Sequence, residues 1–111
     1  VAKTLYRLVK TDPPTETDFL SQKAENRRLI NKKYADEFEG VSHWDSRAGA
    51  ESLSGTVKGA QFVAELSIPD GSSIRYRPSF REGHFTIWAE PDILLGLVVR
   101  IHTINSPRKE S

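Results

Sequence analysis

An α+β domain with a mostly antiparallel sheet and N-terminal helices is predicted by three observations. Alternating, β-rich stretches crowd the second half of the chain, short helical patterns sit in the first half, and no strand–helix–strand unit repeats. The 111 residues are enough for one domain and too few for two. We expect a single globular unit over residues 1–104 and a polar tail, "NSPRKES", over 105–111.

The elements follow in order. "TLYRLVK" (4–10) alternates and is rich in strand formers, and the two prolines of "TDPPTET" stop it. Thr15 or Thr17 can cap a helix through "DFLSQKA". Ile30, Tyr34 and Phe38 recur every fourth residue, which suits a helical stripe ending before Gly40. Val41–Trp44 reads as a short strand. Asp45 or Ser46 then caps a helix over Arg47–Ser54, whose Ala48, Gly49 and Ala50 let it lie close to a sheet. "QFVAELSI", the turn "PDGSS", "IRYRP" and "GHFTIWA" form a run of strands and turns. Pro91 opens one helical turn, "PDILLG", before a last strand, "LVVRIHTI". From this alternation the expected core is Phe62, Leu66, Ile74, Phe85, Ile87, Ile93, Leu95, Val98 and Ile101.

Composition excludes several functions. No apolar run approaches the roughly 20 residues of a membrane span, and Val1 to Leu8 lacks the long apolar segment of a signal peptide. Cysteine is absent, which removes thiolate nucleophiles, thiolate metal sites and disulfides, and fits a reducing, cytoplasmic setting. Sixteen Lys and Arg against fifteen Asp and Glu leave a net charge of +1, without the basic excess of a dedicated nucleic-acid binder. The bases are unevenly placed, however: Lys23, Arg27, Arg28, Lys32 and Lys33 form a basic run. With Tyr34 or Trp44 stacking, that run is the alternative, an RNA-binding or protein-interaction module.

Catalytic patterns are tested on "GVSHWDSRAGAESL", residues 40–53. Ser42, His43 and Asp45 suggest a nucleophile triad, but neighbours on a strand point to opposite faces, so Ser42 and His43 cannot form the required chain. His43, His84 and His102 lack metal-ligand spacing, and no metal is expected. Arg7 interrupts a strand of Leu5, Leu8 and Val9. It suits a solvent face, or a fork onto phosphate or carboxylate in a cleft. Glu82 and Glu90 flank "GHFTIWA".

The order of these pieces resembles the cholera-toxin-like ADP-ribosyltransferases. "LYRLVKTDPP" is similar to that family's opening Leu-Tyr-Arg strand and Pro-Pro. "GVSHWDSRAGAESL" followed by "QFVAELSIP" stands where the family has a Ser-Thr-Ser strand, a helix with alanines and an aliphatic strand. "REGHFTIWAEPDILLGLVVRI" stands where it has the glutamate loop, a proline-led turn and a last strand.

The resemblance implies an ADP-ribosyltransferase-like fold that takes NAD as substrate and, if active, transfers ADP-ribose to a protein or nucleic-acid target or hydrolyses NAD, as a toxin-like effector does. It implies that Arg7, Ser42 and Trp44 bind the cofactor, and that Glu82 grips the ribose and stabilises the developing oxocarbenium ion. His43 and Trp44 replace the second and third residues of Ser-Thr-Ser, and Phe80 stands where the family has a polar partner two residues before the glutamate. His84 is the residue expected to fill that partner's role, with Glu90 as the second candidate acid. On this reading Arg7, Ser42 and the loop 82–84 converge on one cleft, which requires Arg7 and Ser42 on the same face of the sheet.

Overall fold

The computed structural model describes residues 2–21, 23–25, 29, 32–53, 59–79 and 81–104. Six strands form one sheet, β1 (Lys3–Val9), β2 (Val41–Trp44), β3 (Phe62–Ile68), β4 (Arg75–Pro78), β5 (His84–Trp88) and β6 (Val98–Thr103). Their order is β4-β5-β2-β1-β3-β6, and every neighbouring pair is antiparallel. Among the described residues three short helices accompany them: α1 (Ala35–Glu39), α2 (Arg47–Glu51) and α3 (Pro91–Gly96). The expected α+β class and antiparallel sheet are therefore present. No described helix is long and apolar enough to cross a membrane.

Local chemistry explains most of the boundaries. Ser46 caps α2 by accepting the Gly49 N–H at 3.0 Å. Pro91 starts α3, where a missing N–H costs nothing. Gly71, with φ of 79°, completes the turn between β3 and β4 in a conformation that disfavours side chains. The helix expected through "DFLSQKA" is shorter, a 3-10 turn at Glu16–Phe19. The Asp18 carboxylate closes it, accepting from the backbone N–H groups of Lys10 and Thr15 and from the Thr11 hydroxyl. The Ile30–Tyr34–Phe38 stripe lies partly outside the described residues. Of its helix, a 3-10 turn (Lys32–Tyr34) and α1 are seen. Arg27, Arg28, Ser54, Phe80 and the tail 105–111 also lie outside the described residues.

Strand alternation divides the side chains between two faces. Leu5, Val9, Val41, Ala64, Leu66, Ile68 and Ile87 line the first, which packs on Phe19 from the 3-10 turn and Leu94 from α3. The second carries Trp44 and Val63 beneath Ala50 of α2, with Tyr6, Leu8 and Leu53 at the margin. Of the expected core, Leu66 and Ile87 are fully buried, and Phe62, Ile74, Phe85, Leu95, Val98 and Ile101 pack partly buried against it. Ile93 is a correction: it is 47% exposed, and its neighbour Leu94 is the buried residue of α3. A helix of six residues presents too few turns for periodicity to fix which side faces in.

Candidate functional site

The pairing of β1 with β2 determines what each expected site residue can reach. Tyr6 lies opposite Trp44, so Tyr6, Ser42 and Trp44 share the second face, while Arg7 and His43 share the first. Arg7 therefore does not meet the Ser42 hydroxyl. Its Nε–H donates to the Asp18 carbonyl at 2.7 Å and its Nη1–H to the Ser42 carbonyl at 2.8 Å. The half-buried guanidinium thus ties the 3-10 turn to β1 and β2. A single cleft holding both the Arg7 guanidinium and the Ser42 hydroxyl is ruled out, because a one-residue step along a strand reverses the face.

The second face does bring three expected residues together. The Ser42 hydroxyl is hydrogen-bonded to Nε2 of His84, from the adjacent strand β5. His84 lies directly opposite Trp44, and the rings meet edge to face at 4.8 Å between centroids. Trp44 is only 9% exposed and its ring lies against Gly49, where a Cβ would come 3.2 Å from Cε3. It is thus a core residue that supports His84, with its ring faces unavailable for stacking on a base or nicotinamide.

The turn before β5 positions the acid. Gly83 adopts φ of 78°, its carbonyl accepts the Asp45 N–H at 2.8 Å, and a Cβ there would sit 3.0 Å from Asp45 Oδ1. Glu82 precedes it, exposed at the tip of the turn. The positive φ at Gly83 breaks the alternation that would have placed Glu82 on the same face as His84. Glu90 is exposed at the N-cap of α3.

His43 sits on the opposite face from Ser42, as the rejection of the triad required. It is fully buried, and its Nδ1–H donates to the Val41 carbonyl at 3.0 Å. A carbonyl only accepts, so Nδ1 carries the proton and Nε2 is the bare nitrogen. That Nε2 has no hydrogen-bond partner among the described residues. Desolvation first, and then the Arg7 charge, push the His43 pKa down from 6.5 to about 3, with a small contribution from His84. The hydrogen bond to Val41 works weakly the other way. His43 is a neutral structural imidazole.

Two further clusters escaped sequence reasoning. Nε2–H of His102 donates to Glu65 at 2.8 Å while its Nδ1 accepts from Arg47 at 3.3 Å, so one neutral tautomer satisfies both partners and fastens α2 to β3 and β6. Arg75 and Arg77 of β4 lie over the Trp88 ring. The only signal for the second was the alternation of arginines in "IRYRP". Among the described residues no group of three His, Asp or Glu side chains could hold a metal ion.

The fold and this constellation define a small α+β domain with a six-stranded antiparallel sheet and a serine–histidine pair on the face shared with α2. Comparison with family models, curated proteins and solved structures returned no match.

Proposed function

We infer that the protein binds NAD at the Ser42–His84 pair and belongs to the ADP-ribosyltransferase type, as a weak enzyme or a binding descendant of one. The observation that carries this reading is the hydrogen bond between Ser42 and His84, which are far apart in sequence; the exposed Glu82 stands two residues before His84, in the turn that leads into β5. The order of sequence elements supports it independently. Ser42 and His84 hold the hydroxyls of the nicotinamide ribose. Arg7 acts as a positioning residue, because it grips the Ser42 carbonyl from the other side of the sheet.

In cleavage, the bond between C1′ and the nicotinamide nitrogen breaks and the electron pair leaves with nicotinamide, which departs neutral. Positive charge builds on the ribose, and the Glu82 carboxylate stabilises it. Water or a target nucleophile adds at C1′ and gives up its proton to solvent. The RNA-binding alternative is weaker, because Trp44 is buried in the core and offers no stacking surface.

Calorimetry with NAD and chromatography of released nicotinamide test this reading on the purified protein. Wild type is expected to bind NAD, and Ser42→Ala or His84→Ala to weaken binding by about tenfold, the effect of one lost hydrogen bond. Glu82→Gln is expected to leave binding intact and to reduce any nicotinamide release by about a hundredfold. Absence of NAD binding by wild type would remove the reading. Rapid release that survives Glu82→Gln would transfer the catalytic role to Glu90.

A further inference from the structure

Four polar side chains form a chain that runs from the sheet to α2. Glu65 of β3 accepts Nε2–H of His102 of β6 at 2.8 Å, and Nδ1 of His102 accepts Nη1–H of Arg47 at 3.3 Å. Nε–H of Arg47 donates to Glu51, one turn on in the same helix, at 2.6 Å. Glu65 and His102 are each 18% exposed and Arg47 is 42% exposed, so the sheet end is sheltered and the helix end open. The Tyr6 ring of β1 stands 6.4 Å from the imidazole. Arg100, on the same face of β6, lies opposite Glu65. The charged and titratable neighbours of His102 are therefore Glu65 of β3, Arg47 and Glu51 of α2, Tyr6 of β1 and Arg100 of its own strand.

The middle link of the chain needs an uncharged imidazole. Nε2 commits its proton to Glu65, so Nδ1 offers a lone pair to the guanidinium. A second proton on the ring turns Nδ1 into a donor. It then faces Nη1–H of Arg47, donor against donor and cation against cation, and the hydrogen bond is lost. Neither cation is stranded by the break, because each already has a carboxylate of its own. The imidazolium keeps Glu65 and the guanidinium keeps Glu51, both as charge-assisted bonds. The chain thus splits at its centre into two ion pairs. One joins β6 to β3 within the sheet, the other lies within α2, and neither crosses between the two layers.

Little else polar crosses there. Among the described residues the other bond from Arg47 to the sheet is Nη2–H to the Thr103 carbonyl, exposed and 3.2 Å long. Beyond that, α2 is held by Ala50, buried against Trp44 and Val63. A helix of five residues does not sustain itself in water, because its few hydrogen bonds do not offset the cost of nucleation. α2 therefore stays helical only while it is docked. We propose that His102 is a proton-operated latch, which docks α2 on the sheet when uncharged and releases it when charged. Gly49 of α2 lies against the Trp44 ring, and Trp44 meets His84 edge to face, so the latch governs the cover over the Ser42–His84 face. It rests on the four-residue chain and does not require the NAD reading.

Amide hydrogen exchange read by NMR tests the latch, with the His102 imidazole followed in the same samples between about pH 8 and pH 5. The reporters are the Ala50 and Ser52 amides, which donate to the Ser46 and Ala48 carbonyls. After correction for intrinsic rates, their protection in wild type is expected to fall about tenfold in step with protonation of His102, the effect of one lost hydrogen bond. Protection in β1 and β3 should hold. His43 stays neutral over this range because its pKa is about 3, and His84 is common to every variant. H102Q supplies an uncharged stand-in whose amide can donate to Glu65 and accept from Arg47 at any pH. Its α2 protection should stay level.

Level α2 protection in wild type while His102 titrates overturns the latch, as does an equal fall in H102Q. Failure of His102 to take up a proton in this range overturns it too. A fall shared by the β1 and β3 amides would report unfolding of the whole domain, and the latch would go with it. Should H102Q not fold, R47A decides, because it removes the helix end of the link. Its α2 protection is expected to be low at the alkaline end already and to change no further with acid. Wild-type protection and pH response in R47A would overturn the proposal.

Discussion

Replacement of Phe19 by Ala is expected to lower the unfolding free energy by about 3–5 kcal/mol. Phe19 is the largest fully buried side chain among the described residues, and the other residues of its 3-10 turn are polar. It reaches the buried cluster that contains Leu5, Val9 and Leu94, so one ring joins the turn, the sheet and α3. Truncation leaves a cavity that two separately tethered elements cannot close by moving together, which places the loss at the high end for an aromatic. Urea unfolding monitored by circular dichroism checks this, with the midpoint falling and the slope unchanged. Ile93→Ala is the control, expected within about 0.5 kcal/mol of wild type because that side chain is largely in water. A Phe19→Ala loss as small as that of the control would show that the ring does not lock the layers. Phe85, the ring favoured by strand alternation alone, is only partly buried and bears Lys3 over its face at 4.5 Å, so its truncation should cost less.

Acid should destabilise the protein through His43. Its folded pKa is lowered from 6.5 to about 3, so the folded state holds the neutral ring while the unfolded state takes up a proton. The resulting stability is fully present above about pH 6.5 and is lost as the pH falls toward about 3. One proton across that window corresponds to roughly 1.4 kcal/mol per pH unit, or on the order of 5 kcal/mol in all. Protonation would put an N–H on Nε2, which lacks an acceptor among the described residues, beside the Arg7 cation. Unfolding free energies of wild type and His43→Phe, measured between pH 7.5 and 4, isolate this contribution because the other titrating groups are common to both. Wild type should lose stability more steeply by about one proton, and parallel curves would refute the assignment.

Strands and turns were legible because their signals are local. Val41–Trp44 and Pro91–Gly96 fall where alternation, a capping serine and an N1 proline put them. The faces were less legible. Arg7 and Ser42 were expected in one cleft, but face depends on the register of β1 against β2, and no local signal states which residues stand opposite. Trp44 looks exposed in the polar string "SHWD", and becomes core only because Gly49 of α2 approaches closely enough to cover it. Phe19 has no periodic partner, so no pattern announces its burial. The serine–histidine pair was foreseen as a neighbourhood, not as a bond. His84 was named for its distance from Glu82, whereas the structure joins it to Ser42.

The position of β1 also governs the order in which the molecule can assemble. It is the first of the described strands and one of the two innermost in the sheet, pairing Tyr6 with Trp44 on one side and with Glu65 on the other. β2 in turn waits for β5, and β3 for β6, so each half of the sheet is completed by a segment from the C-terminal third. Among the described strands only the β4–β5 hairpin joins neighbours close together in sequence. Chain closure must therefore precede most of the reward from pairing, a topology that belongs to the slow end of two-state folding. During synthesis the first strand leaves the ribosome with an unpaired, largely apolar edge and keeps it until nearly the whole domain has emerged. The interval before closure, more than any weakness of the finished sheet, is when this chain is most open to wrong partners.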